Sequence, residues 1–285
     1  VSVRFSAVFL MVGLSAIGFA RADTPVQPRR IVTLVPSLGE LAAQILGEEM
    51  DRIVGVSEYT DFPPRLALKK SIGPYHRFNL ETVIELKPDL ALATTDGNSK
   101  DQIERLQQLK IPVVVVSTQT LAEVEVSMRT VAAALGYPER GEKMAAAFHA
   151  GIEAFKARAA QKRLVHRRVL LQLGDRPVVV AGGKSLLNEL VALTGAKNVY
   201  EESGQGYPRP SIEDVIQRNP DMILVLALAG RPEEFEKMAN AWKRFPNMNA
   251  VKNGRIHVLR ADELLRPSLR MLDGLSQLNR MIREE

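Results

Sequence analysis

Apolar positions along this chain follow two periods that take turns. Short apolar runs at residues 30–35, 52–56, 90–93 and 112–116 predict strands. Between them, residues 37–46, 80–86, 100–109 and 121–135 carry apolar side chains at helical spacing, and Gly136 stands where a glycine closes a helix. Residues 139–161 are rich in Ala, Glu, Lys and Arg without an internal proline, which predicts one long helix near the middle of the chain. The alternation then resumes, with strands at 168–173, 222–226 and 256–259 and helices at 185–193, 212–217, 232–237 and 268–282. Strands that alternate with helices predict α/β architecture.

The two halves also share a sequence. Asn79-Leu80-Glu81-Thr82-Val83-Ile84-Glu85-Leu86-Lys87-Pro88-Asp89 is echoed 132 positions later by Ser211-Ile212-Glu213-Asp214-Val215-Ile216-Gln217-Arg218-Asn219-Pro220-Asp221, and each copy runs into an apolar strand. A repeat at that distance, separated by a long helix, predicts two Rossmann-like α/β lobes joined by a single backbone helix, with a ligand cleft between them. The expected boundaries are 29–138 for the first lobe, 139–165 for the linker helix and 166–285 for the second lobe. Each copy opens on a capping residue and places a glutamate, Glu81 or Glu213, in the first helical turn. Such an acid complements the helix dipole, and two of them on one exposed surface could equally orient a symmetric basic partner.

Composition narrows the function classes. The 285 residues are 46% hydrophobic and 25% charged, ordinary for a globular chain. Residues 1–22 read as a secretory signal, with Arg4, an apolar run over 7–20 and Ala20-Arg21-Ala22 as a cleavage site. The apolar run is shorter than the ~20 residues of a spanning helix, so a membrane anchor fits less well. With no cysteine, neither disulfides nor a lipid-modified cysteine is available. Without Arg4 and Arg21 the formal charge falls from +5 to +3, and the remaining bases are interleaved with acids, so nucleic acid is not an expected partner. An exported α/β enzyme is the competing class. The chain has no Gly-x-Ser-x-Gly elbow and no Gly-x-Gly-x-x-Gly after its first strand, and Gly182-Gly183-Lys184-Ser185 lacks the first glycine of a phosphate loop. No catalytic residue is assigned. Of the four histidines, His149 and His166 fall on or beside the linker helix and His257 in a strand, leaving His76 alone near the cleft, so no metal site is expected.

Several ordered segments resemble the periplasmic cobalamin-binding proteins of ABC importers. They are Val54-Gly55-Val56-Ser57-Glu58-Tyr59-Thr60-Asp61-Phe62-Pro63-Pro64, the first repeat copy, Asp96-Gly97-Asn98, Val180-Ala181-Gly182-Gly183-Lys184-Ser185, Tyr207-Pro208-Arg209, and Trp242 with Ala250-Val251-Lys252-Asn253-Gly254-Arg255. The resemblance implies a monomeric periplasmic receptor that carries cobalamin or a related corrinoid as transported ligand, with no cofactor of its own, to an inner-membrane permease dimer. It implies that Glu81 and Glu213 dock the two lobes onto permease arginines. It also places Ser37, Tyr59, Tyr75, Thr94, Tyr207, Asp262 and Arg266 at the cleft. The tyrosines could offer flat apolar faces, while Asp262, Arg266, Arg209 and the backbone at Gly182 could meet polar edges. For any single tyrosine, ordinary partial burial is an equally good account. The chain departs from enterobacterial members, which have tryptophans where it has Tyr75, Thr94 and Tyr207. Trp242, on a helical segment, is expected to pack. Haem is the second ligand, because Tyr75-His76 lies where some haem-binding relatives place an axial tyrosine. Ferric siderophores stay open through Arg77, Arg209, Arg266 and Arg270.

Overall fold

The computed structural model describes residues 27–161, 166–227 and 232–283. The expected signal, 1–22, and the end of the expected linker, 162–165, lie outside the described residues.

The first lobe is built on β1 (Ile31–Thr33), β2 (Ile53–Val56), β3 (Lys70–Ser71), β4 (Leu90–Thr94) and β5 (Val113–Val116), in the order β3-β2-β1-β4-β5. All its pairings are parallel. The second lobe uses β6 (Arg168–Asp175), β7 (Val178–Val180), β8 (Lys197–Asn198), β9 (Met222–Ala227) and β10 (Ile256–Arg260), in the order β10-β9-β6-β7, with β8 on β6. There β7 is antiparallel, an edge added to a parallel core. A parallel sheet is covered on both faces by its crossover helices, so its central strands are apolar throughout. Every residue of β4 and β9 is buried accordingly.

The long helix is Pro138–Ala160. Its proline occupies the first turn, where a missing N–H costs nothing. Gly136, at φ 87°, closes the preceding Leu121–Leu135 helix in the left-handed conformation. Ala145, Phe148, Ile152 and Phe155 form a buried stripe, and one apolar cluster runs from them to Val131 and Leu135 of the first lobe and to Leu275, Leu278 and Ile282 of the second. The helix is thus packed against both lobes.

The repeat is reproduced atom by atom. Asn79 Oδ1 accepts from Thr82 N at 2.9 Å, and Ser211 Oγ accepts from Asp214 N at 3.1 Å, capping the helices Leu80–Glu85 and Ile212–Arg218. Lys87 and Asn219, at equivalent positions, both take positive φ, 47° and 45°. The acids that follow then clamp the start of each central strand. Asp89 accepts from Arg29 N and Arg30 N at 2.7 and 2.8 Å, and Asp221 accepts from Arg168 N at 3.0 Å.

The helix expected over 268–282 is present as Met271–Arg283, and an additional short helix, Asp262–Leu265, precedes it. Pro267 forces the separation, since the residue before a proline is excluded from helical conformation and Arg266 sits at φ −106°, ψ 106°.

Candidate functional site

In sheets of this kind, ligands collect beyond the carboxyl ends of parallel strands. In the first lobe those ends lead to Ser37 after β1, Tyr59 after β2 and the Thr94–Asn98 turn after β4. In the second, β10 leads to the Asp262–Leu265 helix and Arg266.

Three of the chain's five tyrosines stand exposed on such loops: Tyr59 at 55%, Tyr75 at 40% and Tyr207 at 45%. The other two are engaged elsewhere. Tyr200 is buried and donates to Asp214 Oδ2 at 2.6 Å, and Tyr137 donates to Glu49 under the Arg140 guanidinium. Tyr207 interacts electrostatically with Asp96 and Tyr75 of the first lobe. Burial, then the charge of Asp96, then Tyr75 push its phenol up from the ordinary range, so the ring is a neutral hydrogen-bond donor throughout the physiological window. Its exposure coexists with that loss of hydration because the ring lines a concave surface.

Tyr75 and Asp96 are held by a network that sequence reasoning did not single out. Asn98 Nδ2 donates to Tyr75 O at 2.8 Å and to Leu34 O at 3.0 Å, while its Oδ1 accepts from Thr94 N at 2.9 Å. One amide therefore ties the ends of β1 and β4 to the loop of Tyr75. Thr94 is buried and its Oγ1 accepts from Gly97 N at 3.1 Å, which fixes the turn. Asp96 accepts from Thr95 Oγ1 and Thr118 Oγ1, each at 3.0 Å. The Asp96-Gly97-Asn98 turn was the available signal, because a half-buried asparagine in a turn bonds the backbone around it.

Three of the expected site residues, Gly182, Asp262 and Arg266, are bonded within the protein. Gly182 N donates to Gly206 O at 2.7 Å, and a Cβ at Gly182 would lie 2.3 Å from Gln205 O. Its amide is therefore not offered to a ligand; the glycine lets the loop bearing Tyr207 pack closely. Arg266 is only 6% exposed. Its guanidinium contacts Asp61 Oδ1 at 2.5 Å, Tyr59 O at 3.2 Å and Asp262 Oδ1 at 3.2 Å, so Asp262 and Arg266 face each other and the first lobe instead of open solvent. Behind them Glu40, with no exposure, accepts from Ser268 Oγ at 2.6 Å and Arg270 Nη1 at 3.0 Å.

Ser37 is half-buried in the first turn of the Pro36–Leu46 helix. Arg209 is exposed and, with Tyr207, Tyr200, Asp214 and Arg218, borders a recess of about 730 Å³ that lies wholly on the second lobe beside the cleft. Glu81 and Glu213 are exposed in the first turns of the duplicated helices. Trp242 is buried and donates to Gln172 Oε1 at 2.7 Å, a packing role. Among the described residues, no group of three or more His, Asp or Glu side chains could hold a metal ion, and no helix is long and apolar enough to cross a membrane.

The chain is similar to known proteins over most of its length. The vitamin B12-binding protein of Vibrio campbellii is 30% identical over 258 residues, 90% of each chain, and that of Pectobacterium carotovorum is 30% identical over 217 residues, 76% of each. The crystal structure of the periplasmic vitamin B12 binding protein BtuF of Vibrio cholerae matches with a TM-score of 0.78 at 28% identity, over 90% of this chain and 97% of that one. The periplasmic heme-binding protein RhuT from Roseiflexus sp. RS-1 in apo form matches with a TM-score of 0.79 at 25% identity, over 90% and 98%. The exposed tyrosines thus sit in a scaffold shared with solute carriers, and the match of residues 31–263 to the periplasmic binding protein family shows that the chain belongs to that family, a group of carriers and not of enzymes.

Proposed function

We propose that this protein captures cobalamin or a related corrinoid between its lobes in the periplasm and delivers it to the permease dimer of an ABC importer. The observation that carries this reading is that the exposed Tyr207 of the second lobe interacts with Tyr75 and Asp96 of the first, with Tyr59 exposed on the adjoining β2 loop. A corrinoid presents a broad apolar ring face and an amide-rich rim. Aromatic walls suit the first, and the Tyr207 phenol and Asp96 carboxylate suit the second. The names of the relatives at 30% identity support the same ligand.

In this reading residues 1–22 direct export, the lobes span 29–138 and 166–285 with the linker between them, and a single copy of the chain works with one permease. Ser37, Thr94 and Arg209 stand with the tyrosines as the ligand-facing set, Thr94 through the turn it fixes. Glu81 and Glu213 meet the permease. A carboxylate on each lobe suits a two-fold partner carrying basic residues, since paired charges set orientation and encounter rate.

Haem is a second reading, favoured by one observation: the Tyr75 phenol is 40% exposed and the His76 ring stands edge-on to it at 5.5 Å, so an oxygen ligand and an imidazole are adjacent. Visible absorption of the purified protein after incubation with cyanocobalamin, haem and a ferric siderophore in parallel separates the readings, because each chromophore reports its own retention. Retention of cyanocobalamin is the expected result. Retention of haem alone transfers the assignment to haem.

A further inference from the structure

We propose that Arg266 and Asp61 are positioning residues for the ligand, whose bridge between the lobes holds Tyr59 in the conformation that presents its ring to the cleft. The inference rests on the corrinoid reading for its ligand and on geometry for the bridge.

Tyr59 has φ 66°, in the left-handed region that residues with a Cβ occupy when their surroundings impose it. The turn around it is pinned at its ends, Thr60 N to Ser57 O at 3.3 Å and Ser57 Oγ to Thr60 Oγ1 at 3.2 Å. Residue 59 itself is gripped from the other lobe. Arg266 Nη2 donates to Tyr59 O at 3.2 Å while Nη1 of the same planar group donates to Asp61 Oδ1 at 2.5 Å. One guanidinium thereby straddles residue 60, holding the carbonyl before it and the carboxylate after it, a task suited to a rigid fork and not to a point charge.

The fork is itself immobile. Asp262 Oδ1 lies 3.2 Å from Nη2 and Glu40 Oε2 lies 3.8 Å from Nη1. Arg270, stacked 3.7 Å over the Phe62 ring, binds Glu40 at 3.0 Å and Glu263 at 3.0 Å. Two guanidiniums thus sit among four carboxylates, those of Glu40, Asp61, Asp262 and Glu263, and the cluster joins the Pro36–Leu46 helix and the β2 loop to the 262–270 segment. The β2 loop also reaches the loop of Tyr75, through Glu58 N to Gly73 O at 2.9 Å. The backbone at position 59, and with it the point from which the ring projects, is therefore set by the spacing of the lobes, and a ligand meets a loop already ordered.

The test combines two readouts. 3-Fluorotyrosine incorporation gives up to five ¹⁹F resonances, that of Tyr59 assigned through Tyr59→Phe. Asp61 is partly exposed, so Asp61→Ala spares the core. In Asp61→Ala the Tyr59 resonance is expected to narrow and move toward the value of the unfolded chain while those of Tyr137 and Tyr200 stay in place. Arg266→Lys, which loses the fork, should act likewise, and Asp61→Glu should retain the wild-type line. Stopped-flow dissociation of cyanocobalamin from Asp61→Ala should be about tenfold faster, the effect of losing a preordered contact. A Tyr59 resonance unchanged in Asp61→Ala overturns the bridge, and a freed ring with unchanged dissociation overturns its role in binding. Failure of the wild-type protein to bind cyanocobalamin sinks the corrinoid reading instead, while the ¹⁹F arm still decides the bridge.

Discussion

Glu40 shows how much one carboxylate can fix. It is fully buried, accepts from Ser268 and Arg270, and faces Arg266. Glu40→Ala leaves cationic groups buried against a void, and breaking a buried pair from one side costs on the order of 3–5 kcal/mol. Equilibrium urea unfolding should show a loss of that size, and a loss below about 1 kcal/mol would mean that water replaces the carboxylate without difficulty. Tyr200 and Asp214 form a second pair with a different readout. Their hydrogen bond, at 2.6 Å, lowers Asp214, with Arg218 helping, and raises Tyr200, whose burial is the larger cause. A folded pKa below the unfolded value means that the bond stabilises the fold at neutral pH and loses its effect as pH falls through the depressed folded value. Tyr200→Phe should therefore return the Asp214 carboxyl toward the ordinary aspartate range in an NMR pH titration and flatten the acid limb of stability. An unmoved Asp214 would assign its shift to Arg218 instead.

At the scale of elements, the duplicated helices carry a transport prediction. Glu81→Lys with Glu213→Lys should abolish uptake in cells, because both charges then repel a basic partner, and should leave equilibrium affinity for cyanocobalamin within about threefold, since neither residue touches the cleft rings. A parallel loss of affinity would make these acids structural. The elements legible in sequence were those whose period runs long enough to register. The Leu121–Leu135 helix matches its expected limits, and the long helix, Pro138–Ala160, lies within a residue of them. β3 and β8 have two residues each and β7 three, too short for any alternation to show, and they exist through their neighbours' backbone bonds. The site was legible in part. Tyr59, Tyr75 and Tyr207 could be singled out through the family resemblance of the segments around them, although β3 and β8, the strands before Tyr75 and Tyr207, leave no mark of their own. The burial of Arg266 and the internal use of the Gly182 amide could not, because both depend on segments far away in sequence.

At the scale of the whole molecule, the two lobes are fastened in three places among the described residues. The long helix packs on both. The Glu40 cluster, with Asp61 and Arg266, spans the cleft floor. On another helix pair, Glu189 Oε2 of the second lobe accepts from Leu121 N at 2.8 Å, placing a carboxylate at the N-terminus of the Leu121–Leu135 helix of the first. A hinge closes widely only if its lobes are free to rotate about a few residues, and attachments on separate elements remove that freedom. Ligand capture should therefore proceed with little closure. A compact chain of this length has a radius of gyration of about 19 Å, and small-angle scattering should register a change below about 0.5 Å on loading with cyanocobalamin. Glu189→Ala combined with Glu40→Ala removes the polar attachment at the Leu121–Leu135 helix and the carboxylate that holds Ser268 and Arg270, so the free protein should open measurably and the ligand should then contract it. Equal, small changes in wild type and double variant would show that the packing of the long helix alone sets the lobe spacing, with the polar bridges acting locally on the rings they hold.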